Sequence, residues 1–342
     1  MALEKILRAL GKRAPWLAVA RPILKVAGFE TTRGSQPSID DALQAATDTV
    51  RNAKLRGLMS EHALAGEKLV RLVSVSTAER AQILAWVQAK RRHSNVLSDP
   101  FPGLAEDSQL PQFTAAAPTS LGYIQIGNAS AAGYTAVRSY QAKVELNISD
   151  LVPSANDGYE HVFATKTVFW QTFDAVVVLP GRDYIALVTD LPRGIPEGFA
   201  KASQQFLESQ LRNILARPVS AVNIWKAIAG LYSSNEGRLV DHGFVNNADA
   251  VKSHTARRGS GDLRSDPYDV AGAAAVGSDL ATYRVAIAWD RQTTGGTSST
   301  PELQLPGSAR DLHACKLDHF IIRNSLNFSD LDFVVSKILV HI

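Results

Sequence analysis

The sequence predicts an α+β protein in which a helical N-terminal unit is followed by a mainly antiparallel sheet packed with helices. Three observations lead there. Capped apolar segments of helical period fill residues 1 to about 95, period-two segments and a hairpin dominate from about 139 onward, and strands and helices do not alternate strictly as in a doubly wound parallel sheet. Three parts result: a helical unit with a basic N-terminal arm over 1–95, a low-charge linker over 96–138, and an α+β domain over 139–342.

The arm comes first. Leu3, Ile6, Leu7 and Leu10 recur at helical spacing with Lys5, Arg8 and Lys12 off that stripe, which describes a basic amphipathic helix. Lys5, Arg8, Lys12, Arg13, Arg21 and Lys25 stand against the single acid Glu4 in the first 28 residues, so the rest of the chain is slightly acidic although the whole carries a net charge of +3. Ser38, followed by Asp40 and Asp41, reads as the cap of a helix through Ala53, and Ser60 as the start of the next. Ser76 and Glu79 have capping-box spacing, and Ile83, Leu84 and Val87 lie on one face of the helix they open.

Between Ser94 and Arg138, Pro100, Pro102, Pro111 and Pro118 forbid a continuous helix, and Ser108 to Val137 carries no charge. This is read as a linker hugging the body or pairing with another subunit. Val144, Leu146 and Ile148 then alternate with polar residues as a strand, and Val162 to Trp170 is a second. Phe173 to Leu179 and Asp183 to Thr189 flank Pro180-Gly181-Arg182 as a hairpin at the centre of the sheet. Pro196 opens a helix whose Phe206, Leu211 and Ile214 are expected to pack on Val176, Val178, Ile185 and Leu187. A helix over 221–232, strands over 238–245 and 283–289, a loop over 290–308, a strand over 319–323 and a closing helix capped by Asn327 or Ser329 complete the chain.

Composition narrows the function. At 342 residues, 45% apolar and 20% charged, the chain buries a sizeable core and is not disordered. Its single cysteine, Cys315, excludes an internal disulfide framework, and with no secretory or membrane-spanning segment it favours a reducing cytoplasm. Arginine outnumbers lysine in an alanine-rich chain, a usage associated with GC-rich bacterial genomes.

Three constellations could carry chemistry. The hairpin register sets Asp174 opposite Thr189 and diagonal to Asp190, and two close acids can hold Mg²⁺ or Mn²⁺ or divide into acid and base; otherwise they mark strand ends. His313, Cys315 and His319 would share one face of an extended segment and could ligate zinc, although their spacing matches no zinc motif. Arg257, Arg258 and Arg264 lie in a glycine-containing loop near Lys252 and His254, suited to phosphate contacts or to internal charge pairs.

No spacing of nucleophile, base and phosphate-cradling glycines commits the chain to a reaction. The leading expectation is a non-catalytic binding or assembly component without cofactor, engaging nucleic acid or an acidic protein partner through Lys5, Arg8, Lys12, Arg13, Arg21, Lys25 and the 252–264 loop. The alternatives are a metal-dependent phosphodiesterase or nuclease-like enzyme using Asp174 and Asp190, and a peripheral membrane-surface protein resting on the N-terminal helix.

Overall fold

The computed structural model describes residues 2–32, 34–45, 47–99, 101–146, 162–245, 251–256, 261–267, 270–271, 274, 281–292 and 298–342. Helices α1 (Ala2–Arg13), α2 (Arg21–Ala27), α3 (Ser35–Gln44) and α4 (Thr49–Ala65) come first, with a π-helical turn at Trp16–Ala20. Strand β1 (Lys68–Ser74) and α5 (Thr77–Gln88) follow. Next are β2 (Thr119–Ile126), β3 (Ala129–Leu146), β4 (Val162–Val178), β5 (Tyr184–Asp190), α6 (Lys201–Leu215) and α7 (Lys226–Ser233). The remainder comprises β6 (Arg238–Val245), β7 (Val251–Thr255), β8 (Ala281–Ala288), β9 (Arg291–Gln292), β10 (Ser298–Ser299), β11 (Glu302–Leu305), α8 (Asp311–Ala314), β12 (Phe320–Arg323) and α9 (Phe328–Leu339).

Ten strands form one sheet in the order β2-β3-β4-β5-β1-β12-β11-β8-β6-β7, and every neighbouring pair is antiparallel. The α+β expectation therefore holds. The hairpin is β4–β5, paired from Ala175 with Val188 to Val178 with Ile185, and Gly181 turns it at φ 63°, a conformation that favours glycine. The strands lie inside the sheet, between β3 and β1.

Several local readings are corrected. Residues 68–74, inside the expected helical unit, form β1 between β5 and β12. Leu69-Val70-Arg71-Leu72-Val73 is a short apolar run that periodicity alone does not separate from a buried helix. The expected linker supplies β2 and the first half of β3, because small residues such as Ala131, Ala132 and Gly133 pack tightly there. The sheet thus draws strands from all three expected parts. Ser38 lies within α3 and its hydroxyl donates back to Gly34 O at 2.9 Å, while Asp48 caps α4, which runs through Ser60. Residues 290–308 contain β9, β10 and β11, strands of two to four residues that are too short to show a period.

Other readings stand. Ser76 and Glu79 form the capping box, with Glu79 Oε2 accepting from Ser76 N at 2.8 Å. Asn327 caps α9, accepting from Asp330 N at 3.3 Å.

Each face of the sheet has its own cover. On one, α1, α2, α4, α7 and α9 pack on Val70, Leu72, Val177, Val188, Ile287, Leu303 and Phe320. On the other, α5 and α6 bury Val176, Val178, Ile185 and Leu187 beneath Ile83, Val87, Leu207 and Leu211. Leu207 and Leu211 carry that contact; Phe206 and Ile214 flank it half-buried, Phe206 edge-on to Tyr134 at 5.0 Å. This second cover stops at β1, and among the described residues no helix of the α5–α6 layer extends over the β11–β8–β6 part of that face. Among the described residues no helix is long and apolar enough to cross a membrane.

Candidate functional site

Asp190 ends β5 on the α1 side of the sheet and lies at the centre of a buried charge cluster. Its Oδ1 accepts from Lys68 Nζ at 2.8 Å, and its Oδ2 accepts from Arg13 Nη2 and from Phe173 N at 3.2 Å. Lys68, 1% exposed, spends its other two protons on Ala63 O at 2.6 Å and Phe173 O at 2.7 Å, so its ammonium is fully satisfied. Arg13 closes α1, donates to Gln171 O at 2.6 Å and lies over the Phe173 ring at 4.8 Å. Burial opposes ionisation of Asp190, but Arg13 and Lys68 outweigh it and hold the carboxyl below its usual range.

Asp174 is a neighbour of a different kind. Side chains alternate along a strand, so Asp174, opposite Thr189, projects with Val176 and Val178 toward α6, while Asp190 projects the other way. The two meet only where Asp190 N donates to Asp174 Oδ1 at 2.9 Å. Burial, reinforced by the charge of Asp190, pushes the Asp174 carboxyl up. The expected register holds, its continuation setting Asp174 opposite Thr189, but the two carboxylates project to opposite faces instead of meeting. Asp190 already faces two cations, and the cavity beside it, lined by Arg13, His62, Glu67 and Pro192, measures about 10 Å³, too little for a bound ligand.

His62 packs beside this cluster with Nδ1 3.1 Å from Ser325 O; burial, then the charges of Lys68 and Arg13, lower its pKa to about 4. Glu67, also buried, accepts from Arg323 Nη1 at 3.1 Å, Arg193 Nε at 3.3 Å and Asn324 N at 2.9 Å. Sequence reasoning passed over Lys68 and Glu67, whose signal was a charged pair opening an apolar run.

The basic arm is docked on its own chain. Ile6, Leu7 and Leu10 are buried, Arg8 donates to Glu106 at 2.5 Å and to Leu104 O and Ala105 O at 2.8 and 2.7 Å, and Lys12 donates to Asp107 at 2.8 Å. Arg21 donates to Thr31 Oγ1 at 3.4 Å, Lys5 is half-buried, and Lys25 is exposed. Arg264 is structural: it donates to Leu231 O and Tyr232 O at 2.9 Å, satisfying carbonyls at the end of α7, and pairs with Asp262. Arg257 and Arg258 lie outside the described residues. Lys252 and His254 lie on the edge strand β7.

The zinc reading needed an extended segment, and 311–314 is instead α8. His313 and Cys315 are exposed, and Cys315 Sγ donates to Leu312 O at 3.1 Å. His319 sits apart from them, between Asp318 at 2.8 Å and Glu197 at 3.2 Å; burial opposes its charge, but those hydrogen bonds prevail and raise its pKa to about 9. Among the described residues no group of three or more His, Cys, Asp or Glu side chains could hold a metal ion.

The uncovered part of the sheet forms a groove of about 990 Å³. Its floor is β11, β8 and β6, with Glu302, Gln304, Arg284 and Asp241; Arg193, Glu197 and Asn324 form one wall, and Leu17 reaches its rim. Arg284 pairs with Asp241 at 2.7 Å, Arg193 donates to Asn324 Oδ1 at 2.7 Å, and Gln304 donates to Glu302 at 2.6 Å. These groups are partly solvated, unlike those around Asp190. Comparison with known proteins adds no analogy for either cluster: no family model, curated protein or solved structure matches the chain.

Proposed function

We propose that the protein is a non-catalytic binding component that holds an extended, carboxylate-bearing protein segment in the groove across β11, β8 and β6. The observation that carries this reading is a volume in the range of ligand sites, floored by strands and edged by arginines with a third to a half of their side chains exposed: Arg193 at 50%, Arg238 at 34% and Arg284 at 33%. Arginine suits carboxylates through its planar fork of donors. Glu302 and Gln304 supply acceptors for backbone amides.

A protein segment is favoured over nucleic acid because Glu197, Asp241 and Glu302 interleave with the arginines, and a polyphosphate needs uncompensated cations whose binding releases counterions. Arg8, Lys12 and Arg13, on which a nucleic-acid reading of the arm would rest, are engaged within the chain. A cytoplasmic setting accords with a free, exposed thiol at Cys315.

The test is an array of extended peptides of graded charge, probed with the full chain and with an Arg193→Ala, Arg284→Ala variant. Peptides with spaced carboxylates are expected to bind, and the variant to bind them about tenfold more weakly, as loss of a charge-assisted hydrogen bond implies. Binding indifferent to peptide charge, or a preference for DNA or RNA with steep salt dependence, would overturn the proposal.

A further inference from the structure

Beyond the residues paired to β2 and β5, β3 and β4 continue together as a two-stranded ribbon, from Ser139 opposite Phe169 to Leu146 opposite Val162. Eight residues of extended chain reach about 26 Å. Among the described residues no other strand pairs with β3 past Thr135, or with β4 on the residues before Ala175. A two-stranded ribbon is marginal in water, and an open edge is a template for another strand.

One face of the ribbon carries Tyr140, Ala142 and Val144 across from Val168, Lys166 and Ala164, and the other carries Gln141, Lys143 and Glu145 across from Thr167, Thr165 and Phe163. A two-fold axis through an edge strand pairs each residue with one equally far on the other side of the axis. On β3, an axis at Val144 sets Lys143 of each copy against Glu145 of the other and Val144 against Val144. Moving the axis to residue 143 sets lysine against lysine, and moving it to 145 sets glutamate against glutamate. One register thus gives two opposite-charge pairs, and its neighbours are penalised by like charges.

The other exposed edges lack this property. Self-pairing of β7 about Ser253 would set Lys252 against His254, and self-pairing of β4 about Thr165 would set Lys166 against Ala164. The outer side of β2 is covered by residues 90–93, with Tyr123 N donating to Lys90 O at 3.1 Å and a bridge between Arg92 and Leu121.

We propose that the protein forms a two-fold dimer by antiparallel pairing of residues 142–146 of the two β3 edges, centred on Val144, giving a four-stranded ribbon in the order β4-β3-β3-β4. This interface is separate from the groove and does not depend on what the groove binds.

Lys143→Glu and Glu145→Lys test it, with mass measured by light scattering and folding checked by melting. Each single variant places like charges opposite one another and is expected to dimerise at least about tenfold more weakly than the native chain. An equimolar mixture of the two restores both opposite-charge pairs and is expected to recover native affinity as a heterodimer. In a Cys315→Ser background, Val144→Cys should oxidise to a covalent dimer, whereas Ala142→Cys should not, since its two copies lie four positions apart across the axis, beyond disulfide reach. A native chain that stays monomeric at every concentration would overturn the proposal. So would a dimer indifferent to both charge reversals, or equal cross-linking at 142 and 144.

Discussion

The Asp190 cluster and the groove over β8 and β6 use the same chemical parts, arginine against carboxylate on a sheet, and they differ in cover. Around Asp190, α1 and α4 seal the charges, every proton of Lys68 has an acceptor, and the remaining space is about 10 Å³. Over the groove no helix lies among the described residues, Arg284 keeps a third of its side chain exposed, and the cavity measures about 990 Å³. Similar ion pairs therefore differ in what can reach them. Sealed, they hold α1 and β1 together; open, they leave arginine and carboxylate accessible to solvent, which is what the proposed binding of an external carboxylate requires.

The largest expected effect tests the sealed side. Asp190→Asn leaves Lys68 and Arg13 buried without a counter-charge and is expected to cost about 3–5 kcal/mol in denaturant unfolding. A loss below about 1 kcal/mol would mean that water reaches the cluster and that the contrast in cover is wrong. Next, Leu211→Ala in the helix that covers one half of the sheet is expected to cost about 3 kcal/mol, with a smaller loss for the half-buried Phe206 per unit of side chain removed. Equal sensitivity per atom at both positions would show that α6 does not seal its face as described.

The histidines sharpen the comparison through pH. Between its folded pKa of about 4 and the ordinary 6.5, His62 is protonated only when unfolded, so its contribution is present above 6.5 and lost as pH falls toward 4. His319 behaves oppositely: its folded pKa is about 9, so its contribution is complete below 6.5 and lost as pH rises through 9. Stability is expected to peak near pH 6.5, falling on the order of 2 kcal/mol on the acid side and less on the alkaline side, where half-exposed Glu197 is screened. His62→Gln should flatten the acid limb and His319→Gln the alkaline one, measured as midpoint against pH. The smallest effect belongs to the open side, where Arg284→Ala is expected to change stability by less than about 1 kcal/mol while weakening peptide binding.

Much of the sheet was legible because its signals are local. Pro180-Gly181-Arg182 between apolar strands gave the hairpin, its register put Asp174 opposite Thr189, and Ser76 with Glu79 marked the start of α5. The same alternation already implied that Asp174 and Asp190 face opposite sides, a consequence the diagonal reading missed. What stayed hidden is set by distant partners. Arg13 meets Asp190 across 177 positions and Arg8 meets Glu106 across 98, so a count of basic residues could not tell a docked arm from one free to bind. β1 was obscured for a related reason, since its strand identity comes from neighbours at 184–190 and 320–323 rather than from its own pattern.

That placement of β1 has a consequence for synthesis. Residues 68–74 leave the ribosome well before their partners, and one flank is closed only when β5 emerges and the other only when β12 does. At about 5–20 residues per second, the roughly 250 residues separating β1 from β12 take on the order of tens of seconds to make. Throughout that interval the future middle of the sheet is an apolar strand with an unclosed side. Synthesis of residues 320–323 is thus the step that completes the centre of the sheet, and chaperone dependence is expected to concentrate in nascent chains that end short of residue 320.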